Sequence, residues 1–280
     1  MPETLMIASD RHKQSDDEGE DRSNRLTSRS IRSFVIRNGR MTDAQTDAMT
    51  RLMPTLGIDF HTSPSLSPPP GQPLSQPLSQ ALNQPLSQPD DDATASLQDS
   101  FAHPERPLWL EIGIGNGDAL LGMAEANPEV NLIGVEVHAP GIGHALLGIE
   151  SRGLENVRLV RHDALEVLEQ LCAQASLARV MLFFPDPWHK KRHHKRRIVR
   201  PDFLNAVAHA LMPDGLLHCA TDVTDYATWM HEHLAADNRF ANTAAGCEDV
   251  VRPDWRPATR FERRGERLGH SVHDLLYRRC

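Results

Sequence analysis

Apolar positions in the second half of the chain come in short unbroken runs rather than in alternation. Leu108–Ile112, Asn131–Val135, Val157–Val160 and Val180–Phe184 are each nearly all apolar, the pattern of strands covered on both faces in a parallel sheet. Between them the period changes. Asp118–Ala126, Gly141–Arg152 and a stretch opening at Ala164 read as helices, so strand and helix alternate as in a βαβ array. Pro201 then starts a helix whose buried face is Phe203, Leu204, Val207, Ala208 and Leu211. Pro213-Asp214-Gly215 predicts a turn into a fifth strand, Leu216–Ala220, followed by a helix over Thr224–Ala235 with Trp229 and Leu234 in the core. Val272–Tyr277 predicts a final strand. The expectation is an α/β domain over residues 101–280.

The first hundred residues are patterned differently. Residues 1–24 are polar and acidic, too poor in apolar side chains to offset the entropy of ordering, and are expected to be disordered. Residues 25–60 form a basic arm and a helix. Arg25, Arg29, Arg32, Arg37 and Arg40 surround Ile31, Phe34, Val35 and Ile36, suiting both RNA contact and docking on the main domain. Thr42 is a plausible N-cap with Gln45 three residues on, and Pro54 is expected to end the helix. Residues 61–100 repeat Pro-Leu-Ser-Gln at Pro73, Pro77 and Pro85, which reads as a solvated, partly polyproline linker whose flanks pack together.

Composition adds limits. The 280 residues are 39% hydrophobic, enough for a sizeable core. A net charge of −8 does not announce a nucleic-acid binder, but phosphate contacts depend on local clusters rather than on the total. Cys172, Cys219, Cys247 and Cys280 are scattered without a Cys-x-x-Cys pair, which argues against zinc knuckles and disulfides and for reduced, cytoplasmic thiols. Neither a leader pattern nor an apolar run long enough to span a bilayer is seen, so no membrane is expected.

Chemistry-bearing residues fall at strand ends. The first strand runs into Gly113-Ile114-Gly115-Asn116-Gly117, where glycines let a backbone approach a ligand. The second ends in Glu136, about 20 residues later, where a carboxylate can accept from two ribose hydroxyls. The third leads to Asp163, placed either to accept from an adenine amino group or to cap the next helix. A dinucleotide loop would be Gly-x-Gly-x-x-Gly. This one is Gly-x-Gly-x-Gly with Glu111 just inside it, and an acid there suits a ligand with a cationic end, such as S-adenosylmethionine, better than a pyrophosphate. After the fourth strand, Pro185 and Pro187 stiffen a turn that carries Asp186, and the fifth strand delivers Thr221 and Asp222 to the same edge. Seven Lys/Arg follow between Lys190 and Arg200 with no acid among them, a density suited to phosphates. His189, His193 and His194 lie amid these cations and read as part of a solvated basic face; no metal is expected.

Together, Leu110–Gly117, Gly134–His138, Phe183–Lys190, Ala220–Asp222 and Thr259–Gly265 resemble the bacterial, single-chain tRNA (guanine-N7-)-methyltransferase family, over roughly residues 29–57 and 108–279. The Phe-Pro-Asp-Pro-Trp-x-Lys motif followed by a basic run is specific to that family, whereas the glycine loop is shared among methyltransferases. The resemblance implies a Rossmann-like class I S-adenosylmethionine-dependent methyltransferase with a mostly parallel seven-stranded sheet and helices on both faces. It implies methyl transfer to N7 of a variable-loop guanosine, position 46 of tRNA. By resemblance Glu111, Glu136, Asp163 and Asp186, with Gly113 and Gly115, fall on cofactor contacts, and Asp186 also on the catalytic acid. Lys190, Asp222, Thr259, Arg260, Phe261 and Glu262 fall on substrate contacts, and Arg192, His193, His194, Lys195, Arg196 and Arg197 on the RNA-interaction segment. Arg260 departs from the family's usual Lys: charge is kept, but a planar fork replaces a point charge. No obligate protein partner is implied; the enzyme is expected to be a cytoplasmic monomer or homodimer acting on tRNA. Two other readings are a tRNA-binding protein without catalysis, disfavoured by the full set of acids, and a methyltransferase for an exocyclic amine, disfavoured by Asp-Pro-Trp-x-Lys.

Overall fold

Each unbroken apolar run becomes a strand, because a residue covered on both faces of a sheet has no solvated side to make polar. These are β1 (Leu108–Ile112), β2 (Asn131–Val135), β3 (Val157–Val160) and β4 (Leu177–Phe183), joined by β5 (Leu211–Thr221), β6 (Phe240–Asn242) and β7 (His273–Arg279). The computed structural model describes residues 32–34, 39–60, 97–245, 248–258, 262 and 271–280, all within one unit, Arg32–Cys280. The expected disorder of 1–24, the basic residues 25–31, Val35, Ile36 and Arg37, the Pro-Leu-Ser-Gln repeats and Thr259–Phe261 lie outside the described residues.

The described strands form one sheet in the order β3-β2-β1-β4-β5-β7-β6. Pairs β1–β2, β2–β3, β1–β4 and β4–β5 are parallel, and β7 runs antiparallel to both β5 and β6. Helices α1 (Asp43–Leu56), α2 (Asp118–Ala126) and α3 (Ala139–Arg152) cover one face. Helices α4 (Ala164–Gln170), α5 (Pro201–Ala210) and α6 (Thr224–Ala235) cover the other. Chain order reverses between β1 and β4, which opens a crevice at the carboxyl ends of these strands, the usual ligand position in such sheets.

The N-terminal helix belongs to this body despite its distance in sequence. Thr42 and Gln45 form the expected capping box. Gln45 donates to the Pro140 carbonyl at 3.2 Å, Arg51 pairs with Glu150 at 2.8 Å, and the Ile58 N–H donates to the Leu159 carbonyl at 2.8 Å. So α1 lies on α3 and the chain after it adds to the outer edge of β3.

Several expectations need correction. The fourth strand is Leu177–Phe183 rather than Val180–Phe184, because Phe184 turns into the left-handed region, and Leu211, expected on the buried face of α5, opens β5. Pro54 does not end α1, which continues to Leu56. The proline is exposed in the last turn, where its missing N–H leaves one carbonyl to solvent, and Gly57 closes the turn onto the Met53 carbonyl at 2.9 Å. Pro213-Asp214-Gly215 is not a turn before β5 but a bulge within it: pairing jumps from Leu177↔Leu211 to Arg179↔Leu216, with Asp214 at φ 63°. Leu97–Ser100, read as linker, is a 3-10 turn whose Leu97 is buried in the core beside Phe101. The last strand starts one residue later than expected and runs on to Arg279.

Candidate active site

The glycine loop is shaped by backbone conformation rather than by crowding. Gly113 and Gly115 adopt φ of +70° and +56°, and a Cβ on either would meet nothing within 4 Å, so it is the left-handed region that demands glycine. Crowding acts from the opposite side: a Cβ on Gly141, in the first turn of α3, would fall 2.2 Å from the Gly115 carbonyl oxygen. Glu136, just past β2, ties the loop down. Its Oε2 accepts from the Gly115 N–H at 2.9 Å, and its Oε1 accepts from the N–H groups of Val137 and His138 at 2.7 and 2.9 Å. With two acceptor positions per oxygen, one on Oε2 is left for a ligand.

Glu111 is different in kind. It is 3% exposed on β1, its Oε2 meets no protein donor, and burial pushes its carboxyl up to about 8. A buried acceptor without a partner is costly. That orphaned oxygen beside the glycine loop fits a ligand with a cationic end, as S-adenosylmethionine has. Asp163 does cap α4, accepting from the Leu165 N–H at 2.8 Å through Oδ1. The cap and an adenine contact are compatible because a carboxylate has a second oxygen.

A cavity of about 380 Å³ at the switch point brings Gly113, Glu136 and Asp186 together with Phe34, His138 and Ile198. Asp163 lines an adjoining cavity of about 740 Å³, and Phe34, Val137 and His162 line both. Glu111, Gly115, Lys190 and Asp222 line neither. Asp222 is half-buried just past β5, and Lys190 is exposed.

Asp186 itself is exposed, on a turn that is held from several sides. Phe184 and Trp188, flanking Pro185-Asp186-Pro187, both have φ of 50°. Non-glycine residues in the left-handed region are strained and persist only where surroundings fix them. The Phe184 N–H donates to the Ala220 carbonyl at 2.7 Å, the Trp188 indole N–H donates to the Ser33 carbonyl at 3.1 Å, and the Arg197 Nε donates to the Pro187 carbonyl at 2.9 Å.

Arg197 therefore does not sit where the basic run suggested. It is 1% exposed, paired with Asp225 and 4.9 and 5.2 Å from the rings of Tyr226 and Trp229. It braces the turn, because the chain folds back under Pro187 after the 3-10 helix Lys191–Arg196. The other members of the segment face outward to differing degrees. Arg192 and Lys195 are exposed, while His193, His194 and Arg196 are half-buried, with Arg196 lying 4.9 Å over the Trp188 ring. No group of three or more His, Cys, Asp or Glu able to hold a metal exists among the described residues.

Of the tail segment, Glu262 is described. It is 2% exposed and engaged by Arg256, with Nη1 and Nη2 at 2.7 and 2.8 Å, so its carboxylate faces the protein interior. Sequence reasoning did not single out Arg256, which lies three residues before the Thr259–Gly265 motif. It also missed the Ser33–Phe34 cover over the cavity. Phe34 was legible as an apolar residue within a basic arm, but nothing in the sequence said where it docks.

The antiparallel β7 between β5 and β6, with an acid just inside the glycine loop, separates this molecule from dinucleotide-binding folds and makes it a class I S-adenosylmethionine-dependent methyltransferase. Residues 105–275 match a family model described as "Putative methyltransferase". The chain is 44% identical to the tRNA (guanine-N(7)-)-methyltransferase of Aeromonas hydrophila subsp. hydrophila over 251 residues, 90% of this chain and 93% of that protein. It is 44% identical to the protein of the same name from Halorhodospira halophila over 250 residues, 89% and 95% of the two chains. Among solved structures, TrmN from Thermus thermophilus overlays with a TM-score of 0.46 at 18% identity, over 62% of this chain and 45% of that one. The chain belongs to the tRNA (guanine-N7-)-methyltransferase family.

Proposed function

We propose that the cavity at the β1/β4 switch point is where a methyl group passes from S-adenosylmethionine to N7 of a variable-loop guanosine in tRNA. The observation that carries this is the convergence of Glu136 and Asp186 on that one cavity, in a chain of this family. When bound, the cofactor would supply a methyl carbon made electrophilic by its sulfonium, open to attack by the exposed N7 lone pair as the carbon–sulfur bond breaks and the sulfur leaves as the neutral thioether of S-adenosylhomocysteine. No proton has to leave N7 first, so the protein's task is alignment, which is worth roughly 7 to 11 kcal/mol of barrier.

Each side chain then has a distinct task. Glu111 offers the only uncompensated buried carboxylate oxygen among the described residues to the cofactor's cationic end. Glu136 offers its remaining Oε2 position to the ribose, and Asp163 its second oxygen to the adenine amino group. Asp186 accepts from the N–H edge of guanine. As the N7–carbon bond forms, positive charge grows on the ring, so this hydrogen bond strengthens toward the transition state, which is what accelerates a reaction. Lys190, Arg192, Lys195 and Arg196 hold tRNA phosphates, positioning without reading sequence. Asp222 and the tail segment Thr259–Glu262 complete the substrate side.

No helix among the described residues is long and apolar enough to cross a membrane. Together with unbridged Cys172, Cys219 and Cys280 and a tRNA substrate, this supports a cytoplasmic enzyme. The test is transfer of labelled methyl to tRNA transcripts, mapped by borohydride and aniline cleavage. The expected result is cleavage at a variable-loop guanosine. Label without such cleavage would mean another methylated atom, and tRNA binding without label a protein that has lost catalysis.

A further inference from the structure

The tail before β7 carries a buried ionic junction centred on Arg256. Arg256 is 1% exposed, and Glu262 and Asp274 are 2% and 3% exposed. One guanidinium serves both acids. Its Nε and Nη2 donate to Asp274 Oδ1 and Oδ2 at 2.6 and 2.7 Å, while Nη1 and Nη2 donate to Glu262 Oε2 and Oε1 at 2.7 and 2.8 Å. Asp274 Oδ1 is also 2.8 Å from His218 Nε2, and Glu262 Oε1 is 3.3 Å from Arg252. Asp274 lies on β7, paired with Ala220 of β5.

The same guanidinium reaches the turn that carries Asp186. Its carbon lies 5.8 Å from the Phe183 ring centre and 5.9 Å from that of Phe184, within range of a cation–π attraction. Phe183 ends β4, and Phe184 is the left-handed residue that aims Pro185-Asp186 outward. A buried ion pair is a weak source of stability, because apolar residues of similar volume do as well or better. What it supplies is geometry. A planar fork satisfied on two edges fixes the relative placement of everything it touches, and an ammonium cannot reproduce that.

We propose that Arg256 is a positioning residue for methyl transfer: it fixes the tail at Glu262 against β7 and backs the Phe183–Phe184 pair, so that Asp186 meets guanine in one geometry. Glu262 then serves the substrate by holding Arg256 rather than by meeting RNA. The inference rests on the assignment of Asp186 to the guanine.

The test compares wild type, Arg256→Lys and Glu262→Gln, the last an isostere that keeps the fold's volume should the lysine variant not fold. Readouts are kcat and KM with tRNA transcripts, affinity for S-adenosylhomocysteine, and thermal melting. Misplacing a catalytic group by about 1 Å costs up to about a hundredfold. The expected result is therefore a fall in kcat of at least about tenfold, with KM for tRNA and S-adenosylhomocysteine affinity held within about threefold. A folded Arg256→Lys enzyme with wild-type kcat overturns the proposal. So does a rise in KM alone, which would make the tail a plain tRNA contact, and so does an equal loss of cofactor affinity, which would make Arg256 a general structural residue. A wild-type enzyme that left N7 unmethylated would instead remove the assignment beneath it.

Discussion

At the scale of single residues, two acids make opposite demands on their surroundings. Asp186 is exposed on a strained turn, and its replacement leaves no cavity. Asp186→Ala should abolish methyl transfer while leaving tRNA affinity within severalfold, measured by filter binding beside single-turnover kinetics. Near-normal turnover would take the catalytic role away from it. Glu111 is enclosed, and burial raises its carboxyl from 4.5 to about 8. Between those values the folded protein keeps a proton that the unfolded chain has lost, so its stability is full at low pH, falls as pH rises through the window, and levels off above about 8. The size is on the order of a few kcal/mol, since each unit is worth about 1.4. Glu111→Gln should therefore flatten the fall in melting temperature of the ligand-free protein between pH 5 and 8. It should also weaken S-adenosylhomocysteine, which keeps the ammonium, by roughly tenfold or more, the worth of a charged hydrogen bond. A variant that melts with the wild-type pH slope would place the titrating group elsewhere.

Elements differ in how much of them the sequence shows, and the reason is physical. β1, β2 and β3 and the helix between β1 and β2 were legible to the residue, because a strand buried on both faces is apolar at most positions, Glu111 and Arg158 being exceptions, and a glycine or a charged residue follows each. β6, Phe240–Asn242, is three residues at the sheet edge, too short to carry a period. Asp186, Glu136 and Gly113 could be placed on one edge because parallel strands deliver their carboxyl ends together. The partition of the basic run could not be read, since an arginine that pairs inward and one that faces solvent look alike in sequence. Arg197 belongs to the first kind, and this yields a contrast to measure. Neutralising Lys190, Arg192 and Lys195 together should weaken tRNA binding and reduce the salt slope by roughly 0.7 to 0.9 log units for each phosphate no longer neutralised, with melting unchanged. Arg197→Ala should leave the slope alone and destabilise the fold by roughly 2 to 4 kcal/mol, as large-to-small changes at buried sites do. A lowered slope in Arg197→Ala would return that residue to the RNA surface.

For the molecule as a whole, the question is what joins α1 to the catalytic sheet across residues 61–96. Both ends of that interval reach the same strand. On one side Ile58 bonds to Leu159, and Phe60 stacks on His162 with ring centres 3.6 Å apart. On the other, Arg158 Nε donates to the Ser100 carbonyl at 2.8 Å, and Leu97 is buried in the core. Arg158 to His162 spans about 13 Å of extended chain at roughly 3.3 Å per residue. Removing Pro64–Pro89 would leave ten residues between Phe60 and Leu97, and these reach up to about 35 Å, enough to join the two sites without pulling either loose. Closing a shorter loop costs less entropy, with each halving worth about 0.6 kcal/mol. The deletion should therefore leave kcat and KM for tRNA within about twofold and melting unchanged or slightly raised, since α1 keeps its own bonds to α3 through Gln45 and Arg51. A large drop in melting temperature would show that the Pro-Leu-Ser-Gln repeats pack on the domain. A loss confined to KM would make them a tRNA-binding stretch, and the proline-rich segment would then join the basic turn as part of the substrate surface.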